Sequence, residues 1–202
     1  LMLRDICIDA GLPDGLFDVL IVDHDVSDKV IAHEKVRGVT MTGSDKAGRH
    51  IGAVAAKNLK KSVLELGSND AYLVLEDADL ELAVKTCVKG RIYNNGETCV
   101  SAKRFVVTDA VYDAFVDAFV EQMKAIKMGP PTDSDTQLGP VSSQEQFDTL
   151  GEQVSKSVAG GAKLLCGGDP KDGTGQYFPA TVLADCPPGT PAYDDELFGP
   201  VA

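Results

Sequence analysis

Three groups of residues in this chain of 202 residues have the types and surroundings that chemistry requires. The first is Cys99, which stands in a polar, glycine-containing loop over residues 94–100. A thiolate held in such a loop can attack an electrophilic carbon, and neighbouring backbone N–H groups can stabilise the resulting oxyanion. The alternative is a small buried hydrophobe, the commonest role of a free cysteine. The other four cysteines fit that alternative: Cys7, Cys87, Cys166 and Cys186.

The second is Glu65, at the end of the apolar run Val63-Leu64-Glu65. Functional groups gather at the carboxyl ends of parallel strands, and partial burial would make this carboxylate a stronger general base. A surface ion pair with Lys60 or Lys61 explains the residue equally well.

The third is the turn Thr42-Gly43-Ser44, between a predicted strand and a predicted helix. The N–H groups and positive dipole end of a helix N-terminus suit a phosphate, and the Ser44 hydroxyl could add a donor. An ordinary strand-to-helix turn is the more frequent meaning of such a short motif, since no Gly-x-Gly-x-x-Gly fingerprint is present. The histidines lie in surface-like segments and do not support a Cys–His hydrolase, and the cysteine spacing predicts no metal site.

Composition narrows the class of protein. With 44% hydrophobic and 25% charged residues, the chain is typical of a globular domain, and its net charge of −12 argues against nucleic acid and anionic membranes. No apolar run approaches the roughly 20 residues that span a bilayer, and no secretory signal begins the chain. Five scattered cysteines favour a reducing, cytoplasmic setting.

Helical and strand patterns alternate, which predicts an α/β fold with a mostly parallel sheet. We expect a domain boundary near Gly67, dividing residues 1–67 from 68–202. The clearest amphipathic helix begins near Tyr112 and ends near Met123. The predicted helices cover about 3–10, 25–33, 45–58, 77–92, 112–123 and 142–160, and the strands 20–22, 38–41, 62–65, 72–75, 105–107, 162–166 and 177–183.

Together, the motifs resemble the aldehyde dehydrogenase superfamily throughout residues 1–202. Glu65-Leu66-Gly67-Ser68 is similar to the family's Glu-Leu-Gly-Gly motif, which carries the general base. Gly96-Glu97-Thr98-Cys99 is similar to its Gly-Gln-x-Cys nucleophile motif, at the family's usual spacing from Glu65. The segment 196–200, Glu-Leu-Phe-Gly-Pro, is similar to the one that holds the nicotinamide end of the cofactor. Other stretches most resemble the bacterial succinate-semialdehyde dehydrogenases: 68–70, 74–80, 102–105, 177–183 and 191–193.

The resemblance implies a Rossmann-like cofactor-binding part (1–67) and a nucleophile-bearing catalytic part (68–202). It implies Cys99 as nucleophile and Glu65 as base, with NAD or NADP as hydride acceptor and a small aldehyde such as succinate semialdehyde as substrate. It assigns cofactor binding to Thr42, Gly43, Ser44, Leu66, Gly67, Glu196 and Phe198.

The chain departs from the pattern at Ser68, where the family has Gly, and at Glu97, where it has Gln. A carboxylate two residues from Cys99 would disfavour its thiolate if it lay close. The upstream Asn and Lys motifs of the family are absent, so we expect an internal piece of a longer chain that forms a homodimer or homotetramer when complete. Two alternatives remain open: a truncated or degenerate relative that has lost catalysis, and an acylating relative that transfers the acyl group to coenzyme A.

Overall fold

The computed structural model describes residues 1–168, 170 and 175–202. These residues form two compact units, Leu1–Leu66 (unit 1) and Gly67–Ala202 (unit 2), so the division comes one residue before the predicted boundary. The assignment of the two parts as cofactor-binding and catalytic domains stays a prediction. None of the described helices is both long and apolar enough to cross a membrane.

Unit 1 is built around one β–α–β element. Strands β1 (Gly38–Thr42) and β2 (Lys61–Glu65) pair in parallel, with Thr42 opposite Glu65 at their carboxyl ends. The side chains of Asp23 and Ser44 cap the following helices by accepting hydrogen bonds from Val26 N and Ala47 N. The elements are α1 (Met2–Asp9), α2 (His24–Ala32), β1 (Gly38–Thr42), α3 (Asp45–Lys57) and β2 (Lys61–Glu65).

The strand predicted at residues 20–22 is wrong. The segment has no regular secondary structure, and Leu20 and Ile21 are 64% and 83% exposed. A run of three apolar residues forms a strand only where a neighbouring strand supplies hydrogen bonds, and the described residues offer this one none. The apolar side chains buried in unit 1 are those of Ile31 and Ala55.

Unit 2 begins with a second parallel pair, β3 (Ala71–Val74) and β4 (Arg104–Val107), which aligns Ala71 with Arg104 and Val74 with Val107. The predicted amphipathic helix is confirmed, and its apolar face packs aromatic side chains together. The ring of Phe119 lies 5.1 Å from that of Phe105 and 5.5 Å from that of Phe115, between centroids. The elements are β3 (Ala71–Val74), α4 (Leu80–Ile92), β4 (Arg104–Val107), α5 (Tyr112–Lys124), α6 (Gln144–Ala159), β5 (Lys163–Cys166), β6 (Val182–Ala184) and α7 (Pro191–Asp194).

The strand predicted at 177–183 is mostly wrong, because only Val182–Ala184 forms a strand, antiparallel to β5. Pro179 has no N–H to donate, so a ladder cannot run through it. The glycine-rich segment between the strands predicted at 162–166 and 177–183 lies partly outside the described residues. The α/β fold is confirmed, although the described strands form three separate pairs, two parallel and one antiparallel, in place of one sheet.

A second core of unit 2 lies under α6, whose N-cap Ser143 accepts a hydrogen bond from Gln146 N. Leu150 and Val154 pack there with Phe178, Leu197 and Val201. This core brings the 196–200 segment against α6.

Candidate active site

The loop that carries Cys99 follows an abrupt helix end. Helix α4 stops at Ile92, and Asn94, Asn95 and Gly96 then take φ values of 51°, 57° and 74°. Asparagine and glycine are the residues that adopt this left-handed conformation most readily. The Asn95 side chain locks the turn by donating to Pro140 O (2.9 Å) and accepting from Gly139 N (2.8 Å). Cys99 lies half-buried in the turn that follows.

The side chain of Arg91 joins the two ends of this loop. Its guanidinium is fully buried and donates from Nη1 to Ala102 O (3.0 Å) and from Nη2 to Gly96 O (2.5 Å). Burial lowers the pKa of Arg91 to about 10, against the opposing attraction of Glu196. Arg91 therefore remains charged at neutral pH and holds the two ends of the loop together.

Lys103 holds the middle of the loop. Its side chain is fully buried, and Nζ donates to the main-chain oxygens of Cys99 (2.7 Å) and Thr98 (3.1 Å) and to Ser68 Oγ (3.3 Å). Nζ also lies 2.9 Å from Glu196 Oε1. Lysine is almost never fully buried without such partners, because the desolvation of an unpaired ammonium is too costly.

Ser68 acts on the same carbonyl group. Its hydroxyl donates to Cys99 O at 2.6 Å, so this oxygen accepts hydrogen bonds from both Ser68 and Lys103. Two donors saturate the acceptor capacity of a carbonyl oxygen. The departure from Gly at position 68 therefore adds a hydrogen bond to the predicted nucleophile.

Glu196 and Phe198 are positioned from one face of α6. Gln153 Nε2 donates to Glu196 O (3.1 Å) and Gln146 Nε2 to Phe198 O (2.7 Å). Between them, Leu197 is buried in the core beside Leu150. The segment is thus fixed through its backbone, which leaves the half-buried side chains of Glu196 and Phe198 available for contacts.

Gly67 makes room for the Glu196 carboxylate. A Cβ atom built at position 67 would collide with Glu196 Oε2. The glycine is needed here for close approach, since no positive φ is involved. The predicted cofactor-binding residues Gly67 and Glu196 are therefore direct neighbours.

The Glu97 carboxylate has a partner of its own. It accepts hydrogen bonds from Ser142 N (3.0 Å to Oε1) and from Ser142 Oγ (2.5 Å). These bonds tie the loop to the segment before α6, and they give the unusual carboxylate a structural role.

In unit 1, the predicted phosphate turn and the predicted base are joined through the backbone. Gly43 N donates to Glu65 O at 3.0 Å, so the N–H of Gly43 is not free for a phosphate. Ser44 Oγ accepts from Ala47 N at 3.3 Å as the cap of α3, and its own hydrogen remains to donate. The first-turn N–H groups of α3 lack intrahelical acceptors and remain suited to an anion.

The partial burial expected for Glu65 is wrong, as is its pairing with a neighbouring lysine. Every residue of β2 is exposed within unit 1, although α3 packs against the strand pair near Leu64 and Leu66. Among the described residues Glu65 makes no ion pair, and Lys60 Nζ donates to His33 O instead. Leu66 packs against Gly48, where a Cβ atom would collide with it.

Burial makes three of the remaining cysteines poor nucleophiles. It raises the pKa of Cys87 to about 11 and also raises those of Cys166 and Cys186. Cys87 is buried and the other two are half-buried, as expected for small apolar side chains. Among the described residues no cluster of His, Cys, Asp and Glu could hold a metal ion.

The structure therefore gathers Gly67, Ser68, Cys99 and Glu196 around Lys103 in unit 2, and Thr42, Gly43, Ser44, Glu65 and Leu66 at one end of the strand pair in unit 1. Sequence reasoning missed the residues that hold the first group in place: Arg91, Lys103, Gln146 and Gln153. Their targets are backbone carbonyls, which no side-chain motif reveals. The one available signal was Asn94-Asn95-Gly96, a typical left-handed turn sequence.

Comparison with known proteins gives consistent relatives. A curated protein from Mycolicibacterium paratuberculosis, named succinate-semialdehyde dehydrogenase (NADP+), is 45% identical over all 202 residues, which cover 43% of its own length. A protein of the same name from Mycobacterium ulcerans is also 45% identical, with 44% of its length covered. The chain thus spans less than half the length of the curated relatives it matches.

Solved structures agree on the fold. Succinic semialdehyde dehydrogenase from Streptococcus pyogenes, solved with NADP+, superposes with a TM-score of 0.96 at 37% identity, over 100% of this chain and 44% of the other. Lactaldehyde dehydrogenase from Escherichia coli superposes with a TM-score of 0.94 at 37% identity, over 99% of this chain and 42% of the other. The family profile named "Aldehyde dehydrogenase family" matches residues 1–202. The chain belongs to the aldehyde dehydrogenase family.

Proposed function

We propose that this chain supplies the nucleophile and part of the cofactor site of an aldehyde dehydrogenase that oxidises succinate semialdehyde with NADP or NAD. The observation that carries the proposal is the ion pair between the buried Lys103 and the half-buried Glu196, since Lys103 also binds the carbonyl of Cys99. It puts the predicted nucleophile and the predicted nicotinamide-ribose ligand in one cluster. The names of the curated relatives favour succinate semialdehyde and NADP.

The cofactor residues in unit 2 fit a ribose. Glu196 is half-buried; its Oε1 lies 2.9 Å from Lys103 Nζ, and its Oε2, which lies against Gly67, accepts no hydrogen bond from the described residues. An acceptor with spare capacity beside an alpha carbon that lacks a side chain, Gly67, suits a sugar hydroxyl. We assign Glu196 to the nicotinamide ribose, Phe198 to the face of the nicotinamide, and Thr42, Gly43, Ser44 and Leu66 to the rest of the dinucleotide. When bound, NAD(P) supplies the acceptor for the aldehyde hydride.

The protein's part in the reaction is covalent catalysis. The Cys99 thiolate adds to the aldehyde carbon, and the Cys99 N–H donates a hydrogen bond to the resulting oxyanion. Collapse of this thiohemiacetal with loss of hydride leaves a thioester on Cys99. Glu65 removes a proton from the water that attacks the thioester, which releases the carboxylic acid and regenerates the thiolate.

Turnover tests the proposal directly. The complete gene product is incubated with succinate semialdehyde and NADP, then NAD, and the absorbance of the reduced cofactor is followed. We expect reduction that disappears in Cys99→Ala and persists in Cys186→Ala, a half-buried cysteine that serves as the matched control. Absence of turnover with this and a panel of other aldehydes would favour a relative that has kept the fold and lost the chemistry.

A second measurement tests the base. Glu65→Gln should give a rapid burst of one reduced cofactor per active site followed by slow turnover, because the thioester forms and then is not hydrolysed. Faster steady-state turnover of the unaltered protein on addition of coenzyme A would favour the acylating alternative. A variant with the turnover of the parent would remove Glu65 from the mechanism.

A further inference from the structure

Lys103 has more oxygen neighbours than it has hydrogens to donate. An ammonium carries three N–H groups, and those of Lys103 donate to Cys99 O, Thr98 O and Ser68 Oγ. Glu196 Oε1, at 2.9 Å, is the fourth oxygen and lies closer to Nζ than Thr98 O or Ser68 Oγ does. Lys103 therefore binds both the loop and the Glu196 carboxylate.

The backbone of Lys103 is itself anchored. Lys103 N and Arg104 N donate to Asp70 O at 3.2 and 3.3 Å, at the start of the β3–β4 pair. The segment before β3 is held as well, since Arg104 Nε donates to Asn69 O (3.0 Å) and Asn69 Nδ2 to Tyr193 O (2.7 Å). Both donors on the Cys99 carbonyl, Ser68 and Lys103, thus project from fixed backbone, as an orienting contact requires.

We propose that Lys103 and Ser68 are positioning residues that fix the peptide group of Cys99, and that Glu196 has a second role, independent of the cofactor, as the counter-ion of Lys103. The carbonyl of Cys99 is held from two directions, so the orientation of the residue that carries the thiol is determined before substrate arrives. Glu196 offsets the cost of burying the lysine that does this. The proposal rests on the proposed function only in taking Cys99 as the nucleophile.

Hydrogen exchange tests the positioning without any catalysis. The complete gene product, free of cofactor, is compared as the parent, Lys103→Met, Glu196→Gln and Lys156→Met. Lys156 is a matched control, because it is an exposed lysine paired with Glu152 elsewhere in unit 2. The readouts are the amides of the loop peptide, residues 94–102, and those of α5.

We expect the loop amides of Lys103→Met to exchange at least about tenfold faster, because hydrogen bonds to a charged donor are lost. Glu196→Gln should accelerate the same peptide, whereas Lys156→Met should leave it unchanged. The amides of α5 should stay within about twofold of the parent in all variants. Unchanged loop exchange in Lys103→Met, or equal acceleration in α5, would overturn the positioning role. Unchanged loop exchange in Glu196→Gln would overturn the counter-ion role.

Kinetics separate positioning from mere stability. Ser68→Ala should lower kcat with little change in the KM for the aldehyde. Ser68→Thr, which keeps the hydroxyl, should restore kcat. Lys103→Met should lower kcat by about 100-fold. Equal kcat for Ser68→Ala and the parent would refute the role of Ser68. If the parent itself shows no turnover, the proposed function fails, while the exchange measurement still decides whether Lys103 and Glu196 order the loop.

Discussion

Gly96 lies in the loop of residues 94–102 that carries Cys99, at a position with no room for a side chain. It takes a φ of +74°, and a Cβ atom built there would collide with the carbonyl oxygen of Gly199 and lie 2.9 Å from Arg91 Nη2. The first neighbour is backbone and the second is a buried guanidinium, so neither can move at little cost. Gly96→Ala should therefore be destabilising for two separate reasons.

The magnitude follows from those two reasons. A left-handed conformation costs an L-residue roughly 1–2 kcal/mol. Forcing a methyl group into a filled site costs a further 1–3 kcal/mol, roughly. Gly96→Ala should thus lower the free energy of unfolding by about 2–5 kcal/mol.

Equilibrium urea unfolding, followed by circular dichroism, measures this loss. The matched control is Gly151→Ala in α6, where a Cβ atom would meet nothing within 4 Å and φ is not positive. Because alanine is the better helix former, the control should gain about 0.5–1 kcal/mol. A loss below about 1 kcal/mol for Gly96→Ala would show that Gly199 and Arg91 move aside at little cost, which would refute the reasoning.

Three further predictions concern unit 2. Ser157→Ala should lower the free energy of unfolding, measured in urea, by about 1–3 kcal/mol, because the fully buried Ser157 Oγ accepts a hydrogen bond from Ala192 N at 2.9 Å and the variant leaves that N–H unpaired. No loss would mean that another acceptor takes its place. Gln153→Met removes the donor to Glu196 O and, in steady-state assays, should raise the KM for NADP more than it lowers kcat. A fall in kcat with an unchanged KM would contradict the assignment of Glu196 to the cofactor. Burial and the hydrogen bond to Asp185 raise the pKa of Tyr112 to about 12, so the stability that this phenol contributes is fully present below its unfolded pKa near 10 and is lost as the pH rises to about 12. A tyrosinate absorbance titration should therefore show one late-titrating tyrosine that is missing in Tyr112→Phe. An identical titration in the variant would contradict this prediction.

The sequence predicted what local pattern determines. The amphipathic helix at Tyr112–Lys124 was predictable because burial on one face leaves a periodic trace. The strands Gly38–Thr42 and Lys61–Glu65 were predictable because short apolar runs end at turn residues. The strand at residues 20–22 failed because its existence depends on a partner that the pattern cannot supply. Residues 177–181 failed for a related reason, since Pro179 removes a donor and only the three residues of β6 pair with β5.

The candidate site divides in the same way. Cys99, Glu65 and Glu196 were proposed from motifs in which the side chain itself is informative. Arg91 and Lys103 escaped notice because they bind main-chain oxygens, and every residue has one of those. Residues that orient a loop through its backbone therefore become visible only when the distances between atoms are known.

The charges beneath the loop point to a consequence of this arrangement. Arg91 and Lys103 are two buried cations, and Glu196 is the one carboxylate that pairs with Lys103 and attracts Arg91 among the described residues. One positive charge is thus left uncompensated beside the main-chain carbonyls of Gly96, Cys99 and Ala102, in a chain whose net charge is −12. Because a buried charge acts over a longer range than an exposed one, this excess favours negative charge on the loop. In the proposed mechanism an oxyanion forms at Cys99 and would lie in this field, and Glu196 keeps the two buried cations from becoming too costly for the fold.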